Sequence, residues 1–287
     1  MTSSVDSPVA IAPSRNQRLL GTRIRLLFST WIGRLLLLVI AFFTLAPLVY
    51  MVVKSVTAQD GSNALTLQAW QRVATGELPG AGLNSLIMSV LSIIVILAFS
   101  TFAAFGFAKL PFRGSQALIA SVIVLMLVPV QTYIITEYFN YSHMHLIGNM
   151  PAVALIYAAT QLPFSTFILT NFFRAIPDEL VEAAIVDGAS YPRVFWEIFV
   201  PLARPALVTV GVLAFIGVWN DLLIALLFLP VPGFRTLSVV MASGQDTHVF
   251  DVGQLMAGSL LSAVPCIIVY LIFQRYIAVG LTAGTGK

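Results

Sequence analysis

Apolar residues in this chain come in long continuous runs separated by short polar stretches, without the two-residue alternation of a half-buried strand. Six runs are long enough to cross a bilayer core, which takes about 20 apolar residues in helical form. They cover 35–53, between Arg34 and Lys54; 86–108, closed by Lys109; 114–136, closed by Glu137; 150–173, closed by Arg174; 205–229, opened by Arg204; and 252–274, closed by Arg275. Helices are the expected form, because lipid offers no partner to backbone N–H and C=O groups. Strands of a membrane β-barrel would be shorter and would alternate. The expected fold is an all-α integral membrane protein with six transmembrane helices. Pro47, Gly106, Pro129, Pro163, Gly211, Gly217, Gly258 and Pro265 fall inside the runs, where they allow kinks and close helix approach, for packing or for gating.

Composition agrees with lipid as the main solvent. Of 287 residues, 59% are hydrophobic and only 9% charged, against about 25% charged in a soluble domain. Mean hydropathy is +0.94. The net charge of +3 comes from basic residues flanking the apolar runs, so it reads as membrane topology and not as nucleic-acid binding. Arg15, Arg18, Arg23, Arg25, Arg34, Lys109, Arg113, Arg174, Arg193, Arg204, Arg275 and Lys287 fall on one side, leaving Lys54, Arg72 and Arg235 on the other. The positive-inside rule then puts both termini and the segment 175–204 in the cytoplasm. Segments 54–83, 137–149 and 230–251 face outward. The chain divides into a tail over 1–34, a six-helix membrane domain over 35–275 and a tail over 276–287. Residues 1–21 are polar, with Pro8, Pro13, Arg15 and Arg18, and lack the early apolar core of a secretory signal. They are expected to form a flexible cytoplasmic tail. The single cysteine, Cys266, excludes an intramolecular disulfide and a multi-cysteine metal site.

The cytoplasmic segment between the fourth and fifth runs carries the most information. Pro177 suits the first turn of a helix, and Asp178 and Glu179 then sit near its positive end. Leu180, Ala183 and Ala184 follow helical spacing and give a small-residue face. Asp187-Gly188 is a turn signal. A second helical piece follows, with Val194, Phe195 and Ile198 on one side, before Pro201 and Pro205 redirect the chain. Such a short helix–turn–helix, with a shallow alanine face and a projecting Phe195, suits docking on a cytoplasmic partner. The other reading is a solvated or membrane-surface linker.

The pattern Glu182, Ala183, Ala184, Asp187, Gly188, Ala189, then Phe195, Ile198, Pro201, Leu202 and Pro205, resembles the cytoplasmic docking loop of ABC importer permeases. Trp219-Asn220-Asp221 resembles a motif common in carbohydrate-importer permeases. The ending Gln274-Arg275-Tyr276, then Gly280-Leu281-Thr282-Ala283-Gly284, resembles the C-terminus of the maltose-type inner permeases. The first run and the tail before it carry little of this likeness, and Val200 stands where the family most often has leucine. The resemblance implies a hetero-oligomer in a bacterial cell membrane. A second permease completes the pore, two cytoplasmic ATPase subunits drive it, and an external binding protein delivers the solute. Residues 182–189 would form the coupling helix, with Glu182 paired to a base on the ATPase, Gly188 permitting close approach and Phe195 in the interface. Transport would follow by alternating access. ATP and magnesium would be bound by the ATPase and no cofactor by this chain, which lacks a G-x-x-x-x-G-K-[ST] phosphate loop; the glycine-rich 280–287 follows a membrane helix and lacks that spacing.

Some polar residues could touch solute. Asp221 is the only acid inside a run, and a mid-membrane charge costs about 2.5–3.5 kcal/mol on insertion scales. It should face a wet cavity or a partner. Trp219 and Asn220 beside it offer a stacking face and an amide suited to sugar hydroxyls; helix–helix hydrogen bonding is the other reading. Glu137, with Tyr133, Tyr138 and Tyr141, marks the outer end of the third run, where aromatic residues more often anchor at the interface. Gln131, Gln161 and Asn171 are weaker pathway candidates. His143 and His145 lack the carboxylate or cysteine neighbours of a metal site. Three alternatives remain: the same loop serves importers of polyamine, phosphate, metal or peptide; a membrane enzyme would need a His/Glu/Asp cluster that the runs lack; and a mere anchor would not need Asp221.

Overall fold

The computed structural model describes residues 15–58, 64–110, 112–246 and 251–283, with side chains over 31–58, 64–110, 112–244 and 251–277. Apart from one isolated bridge, Thr57 to Leu65, the regular elements among the described residues are helical. The chain forms two units, 1–53 and 54–287.

The first unit is the helix α1, Arg15–Ser55, apart from its last two residues. It begins inside the 1–21 stretch expected to be a flexible cytoplasmic tail and runs through the rest of the 1–34 tail. Residues 15–34 contain no proline and are rich in Arg and Leu, so good helix formers extend the apolar run backward. Its apolar side chains from Trp31 to Val53 are largely exposed, as suits a lipid-facing surface.

The second unit opens with the short α2, Gln68–Thr75, and the long α3, Leu78–Lys109. Pro79 sits in the first turn of α3, where its missing N–H has no helical partner to lose. The helix therefore starts before the apolar run does. The long α6, Met150–Ala175, is capped by Asn149, whose Oδ1 accepts from the Ala152 N–H at 3.0 Å. The last helix, Val252–Ala283, is preceded by reciprocal Asp251 and Gln254 contacts at 2.7 and 3.3 Å.

Two of the six expected helices are broken. The third run forms α4, Ser115–Leu125, a 3-10 turn at Val130–Thr132, and α5, Ile134–His143. Pro129 explains the break: its own ψ of 140° is extended, it has no N–H to donate, and it disfavours helix at the residue before it. α5 then continues through Glu137 into a stretch expected to be an outward loop. The fifth run forms α10, Arg204–Asn220, and α11, Leu223–Phe228, separated at Asp221 and Leu222. Among the described residues, four helices are thus long and apolar enough to cross a membrane: Trp31–Ser55, Leu78–Lys109, Met150–Ala175 and Val252–Ile277. A fifth crossing follows if Tyr191–Leu202 and Arg204–Asn220, bent by 72°, count as one.

Between α3 and α6 lies the most extensive packing, with α10 against both and against the last helix. Ser85, Ser89, Ser92 and Ser100 are buried along α3, where small side chains let backbones approach. Hydrogen bonds gather the connecting segments into two groups. In one, Asn84 Nδ2 donates to the carbonyls of Gly233 and Arg235 at 2.8 and 3.0 Å, the Gly148 N–H to Phe228 at 2.8 Å, and Arg72 pairs with Asp251 at 2.7 Å. In the other, Lys109 meets Asp178, and Thr209 Oγ1 lies 3.0 Å from the Tyr276 carbonyl.

Candidate functional site

The segment after α6 forms α7, Glu179–Val186, then α8, Tyr191–Val194, a π-helical turn at Phe195–Phe199, and α9, Val200–Leu202. Glu179 and Glu182 occupy the first turn of α7, where the helix dipole favours them. Its C-terminus closes as a Schellman motif. The Gly188 N–H donates to Ile185 and the Ala189 N–H to Ala184, both at 2.9 Å, with Gly188 at φ +82°. A Cβ on Gly188 would meet nothing within 4 Å, so glycine is set here by backbone conformation, not by crowding within the chain.

One face of this segment is anchored and the other is open. Val181, Val194 and Phe199 are buried in a cluster with Phe105 and Phe173. Phe199 stands edge-on to both rings, with centroids 5.1 and 5.5 Å apart. Glu182, Ala183, Asp187 and Gly188 are exposed, Ala184 and Ala189 half-buried, and Val186 is 86% exposed. Ile198 and Pro201 are half-buried and Leu202 exposed. Phe195 corrects the expectation that it projects outward. It is 3% exposed, stacked on Phe102 at 4.9 Å and edge-on to Phe105 at 5.2 Å. The exposed ring is its neighbour Trp196, which the sequence pattern did not single out.

Lys109, taken from the sequence only as a topology charge, reaches this segment. Its ammonium donates to the Ile176 carbonyl at 2.6 Å and to Asp178 Oδ1 at 2.5 Å. An open cleft of about 350 Å³ lies alongside, bordered by Lys109, Asp178, Glu182 and Tyr191.

The break in the fifth run is organised by Asp221. Its Oδ1 accepts from the Ile224 and Ala225 N–H groups at 2.9 and 3.2 Å, capping α11, and from the Tyr157 hydroxyl of α6 at 2.9 Å. Trp219 is 4% exposed, stacked on Phe215, and its Nε1 donates to the Ser262 carbonyl at 2.9 Å. Of the three motif residues only Asn220 is exposed, with Nδ2 donating to the Ile216 carbonyl at 2.9 Å. The motif therefore holds helices together: Trp219 ties α10 to the last helix and Asp221 ties the break to α6. An open apolar cavity of about 590 Å³ lies beside Trp219, with Trp70, Leu83, Leu86 and Pro265 among its walls.

The outer candidates do not converge. Gln131 is exposed in the 3-10 turn and Glu137 half-buried in the first turn of α5. The Tyr141 hydroxyl donates to the Ala152 carbonyl at 3.1 Å. Gln161 packs on Gly217, where a Cβ would collide with it. Asn171 lines a small pocket with Thr170 and Arg174. His143 and His145 are exposed, and no group of three His, Cys, Asp or Glu that could hold a metal occurs among the described residues. Of the C-terminal motif, Gln274, Arg275, Tyr276 and residues 280–283 lie in the last helix; Gly284, like Lys287 after it, lies outside the described residues.

Residues 100–282 match the family described as binding-protein-dependent transport system inner membrane component. The osmoprotective compounds uptake permease of Synechocystis is 37% identical over 72% of this chain and 70% of its own length. The trehalose transport permease of Mycobacterium tuberculosis is 32% identical over 80% and 86%. The trehalose/maltose transport permease of Thermococcus litoralis is 33% identical over 89% and 95%. Among solved structures, a bacterial ABC transporter involved in import of the acidic polysaccharide alginate aligns with a TM-score of 0.73. It covers 93% of this chain and 99% of its own at 23% identity, a likeness of fold.

Proposed function

The chain belongs to the family of inner membrane components of binding-protein-dependent transport systems, and we propose that it is a permease subunit of an ATP-driven importer that carries a carbohydrate through the cell membrane. One observation carries this reading. α7 and its closing turn present Glu182, Ala183, Val186 and Gly188 to solvent while Val181, Val194 and Phe199 tie the same segment into the membrane helices. A face of small and apolar residues with an acid at its edge suits a cleft on a partner, and an anchored base lets force on that face reach the spans.

In this reading two ATPase subunits bind ATP and magnesium and hydrolyse the nucleotide. A second permease completes the pore and an external binding protein delivers solute. Closure of the ATPase pair moves α7, and the spans turn the pathway from inside to outside. The α4 and α5 pair, broken at Pro129, makes the third of six crossings, and the α10 and α11 pair the fifth, with both termini inside. The cytoplasmic excess of Lys and Arg supports that orientation. Relatives that carry trehalose and maltose support the carbohydrate class. The relative for osmoprotective compounds favours a second class, a compatible solute.

Co-purification tests the docking reading. The chain should carry its cytoplasmic ATPase out of detergent-solubilised membranes. Glu182→Arg should lose the ATPase while the chain remains membrane-inserted. Retention of the ATPase by that variant at wild-type yield would remove the assigned role of α7.

A further inference from the structure

The side chain of Lys109 is 3% exposed, although it ends a membrane helix beside open solvent. A buried ammonium is costly unless its hydrogen-bonding capacity is met, and an apolar residue would serve packing alone better. Here the ammonium is held by three groups from one segment. The Ile176 carbonyl, at 2.6 Å, ends α6. The Asp178 carboxylate, at 2.5 Å, stands at the start of α7. The Phe199 ring, 5.7 Å from Nζ, belongs to the π-helical turn by which the segment leaves. One cation therefore fastens both limbs of the docking segment to the last turn of α3. The anchoring rings reinforce it, since Phe199 also packs on Phe105 of α3. The tip of α7 has no such tie: Val186 and Gly188 face solvent.

We propose that Lys109 is a positioning residue for energy coupling: it locks the base of the docking helix to α3, so that displacement of α7 becomes displacement of a membrane span. The inference rests on the importer reading above. Apolar packing alone allows one surface to slide over another, whereas a cation with two short bonds fixes the register. Without the cation, the ATPase still docks on the exposed face of α7 and hydrolyses ATP, but its stroke is lost between α7 and α3.

The test uses the full complex of both permeases, ATPase and binding protein in proteoliposomes, and reads solute moved per ATP hydrolysed. Lys109→Met should keep the ATPase bound and hydrolysing, while solute per ATP falls about tenfold or more, the scale of a typical coupling energy. Lys109→Arg should restore the ratio to within about threefold of wild type, because the guanidinium keeps charge and donors. Asp178→Asn, which leaves the Ile176 bond in place, should fall between them. A wild-type ratio in Lys109→Met, or hydrolysis and transport falling in proportion, overturns the proposal, since a merely structural lysine would lower both together. If Lys109→Met does not assemble, Asp178→Asn decides, because that carboxylate is largely exposed; an unchanged ratio there overturns the proposal equally. A wild-type complex that hydrolyses ATP and moves no solute sinks the importer reading itself, a different result from a wild-type complex that transports and a Lys109→Met variant that transports equally well.

Discussion

Gly188 and Asp221 each do a backbone task that their surroundings dictate. At φ +82° an L side chain strains the turn by about 1–2 kcal/mol, and the space around Gly188 is open on this chain. Gly188→Ala should therefore lower transport partially, whereas Gly188→Glu places a charged side chain on the docking face and should abolish it. Membrane levels, followed by immunoblot, should match wild type in both. Uptake surviving in Gly188→Glu would show that this turn does not meet the ATPase. Asp221 accepts from two N–H groups and one hydroxyl through Oδ1, so that oxygen is committed to holding the break in place. Asp221→Ala should cost about 0.5–2 kcal/mol, the usual worth of a cap, and lower the melting temperature of the purified complex. The solute concentration at half-maximal uptake should stay put. A large rise in that concentration with unchanged melting would make Asp221 a solute ligand after all.

Anchoring of the docking segment depends on the phase of its side chains. Between Phe195 and Phe199 the backbone widens to a π turn, which shifts every later side chain relative to an α-helix. Phe195 and Phe199 both point inward and Trp196 outward. Deleting a buried ring costs about 3–5 kcal/mol, so Phe199→Ala should loosen the segment and expose it to protease in membrane vesicles opened to the cytoplasmic side. Val186→Asp, at the exposed tip, should leave proteolysis unchanged and weaken ATPase co-purification. Equal protease resistance in Phe199→Ala and wild type would mean that the aromatic cluster does not hold the loop. Phe195 stands ahead of that shift and turns inward because Phe102 and Phe105 of α3 receive its ring, a long-range contact that the local sequence pattern does not show. The glycine turn was legible because Asp-Gly chemistry is local. The long helices α3, α6 and the last one were legible because their apolar runs are continuous, and α6 and the last helix also carry side-chain caps at Asn149 and Asp251. The breaks at Pro129 and Asp221 were not, since a hydropathy count passes over one proline or one acid. Yet each carries its own signal: proline stops the residue before it, and Asp221 stands three residues ahead of the N–H it caps. Lys109 was hidden because a basic residue at a span end serves topology first, and its long-range partner Asp178 is visible only in three dimensions.

Within the second unit, 54–287, an exposed docking helix lies at one end of the helices, and polar ties from α2 to Asp251 and from α3 to the 233–235 loop lie at the other. Orientation across the membrane is checked by cysteine labelling in a Cys266→Ser background. A membrane-impermeant maleimide should label Gln71→Cys in intact cells and Asp187→Cys only after the membrane is opened; the reverse pattern would invert the topology. The central claim is uptake of a carbohydrate, and it is tested most directly by cells with and without this gene. They are given labelled disaccharides, oligosaccharides, osmoprotective solutes, polyamines and short peptides under energised conditions. Loss of the gene should remove energy-dependent uptake of one carbohydrate and leave polyamines and peptides untouched. Loss confined to a non-carbohydrate, or no loss of any solute, would contradict it.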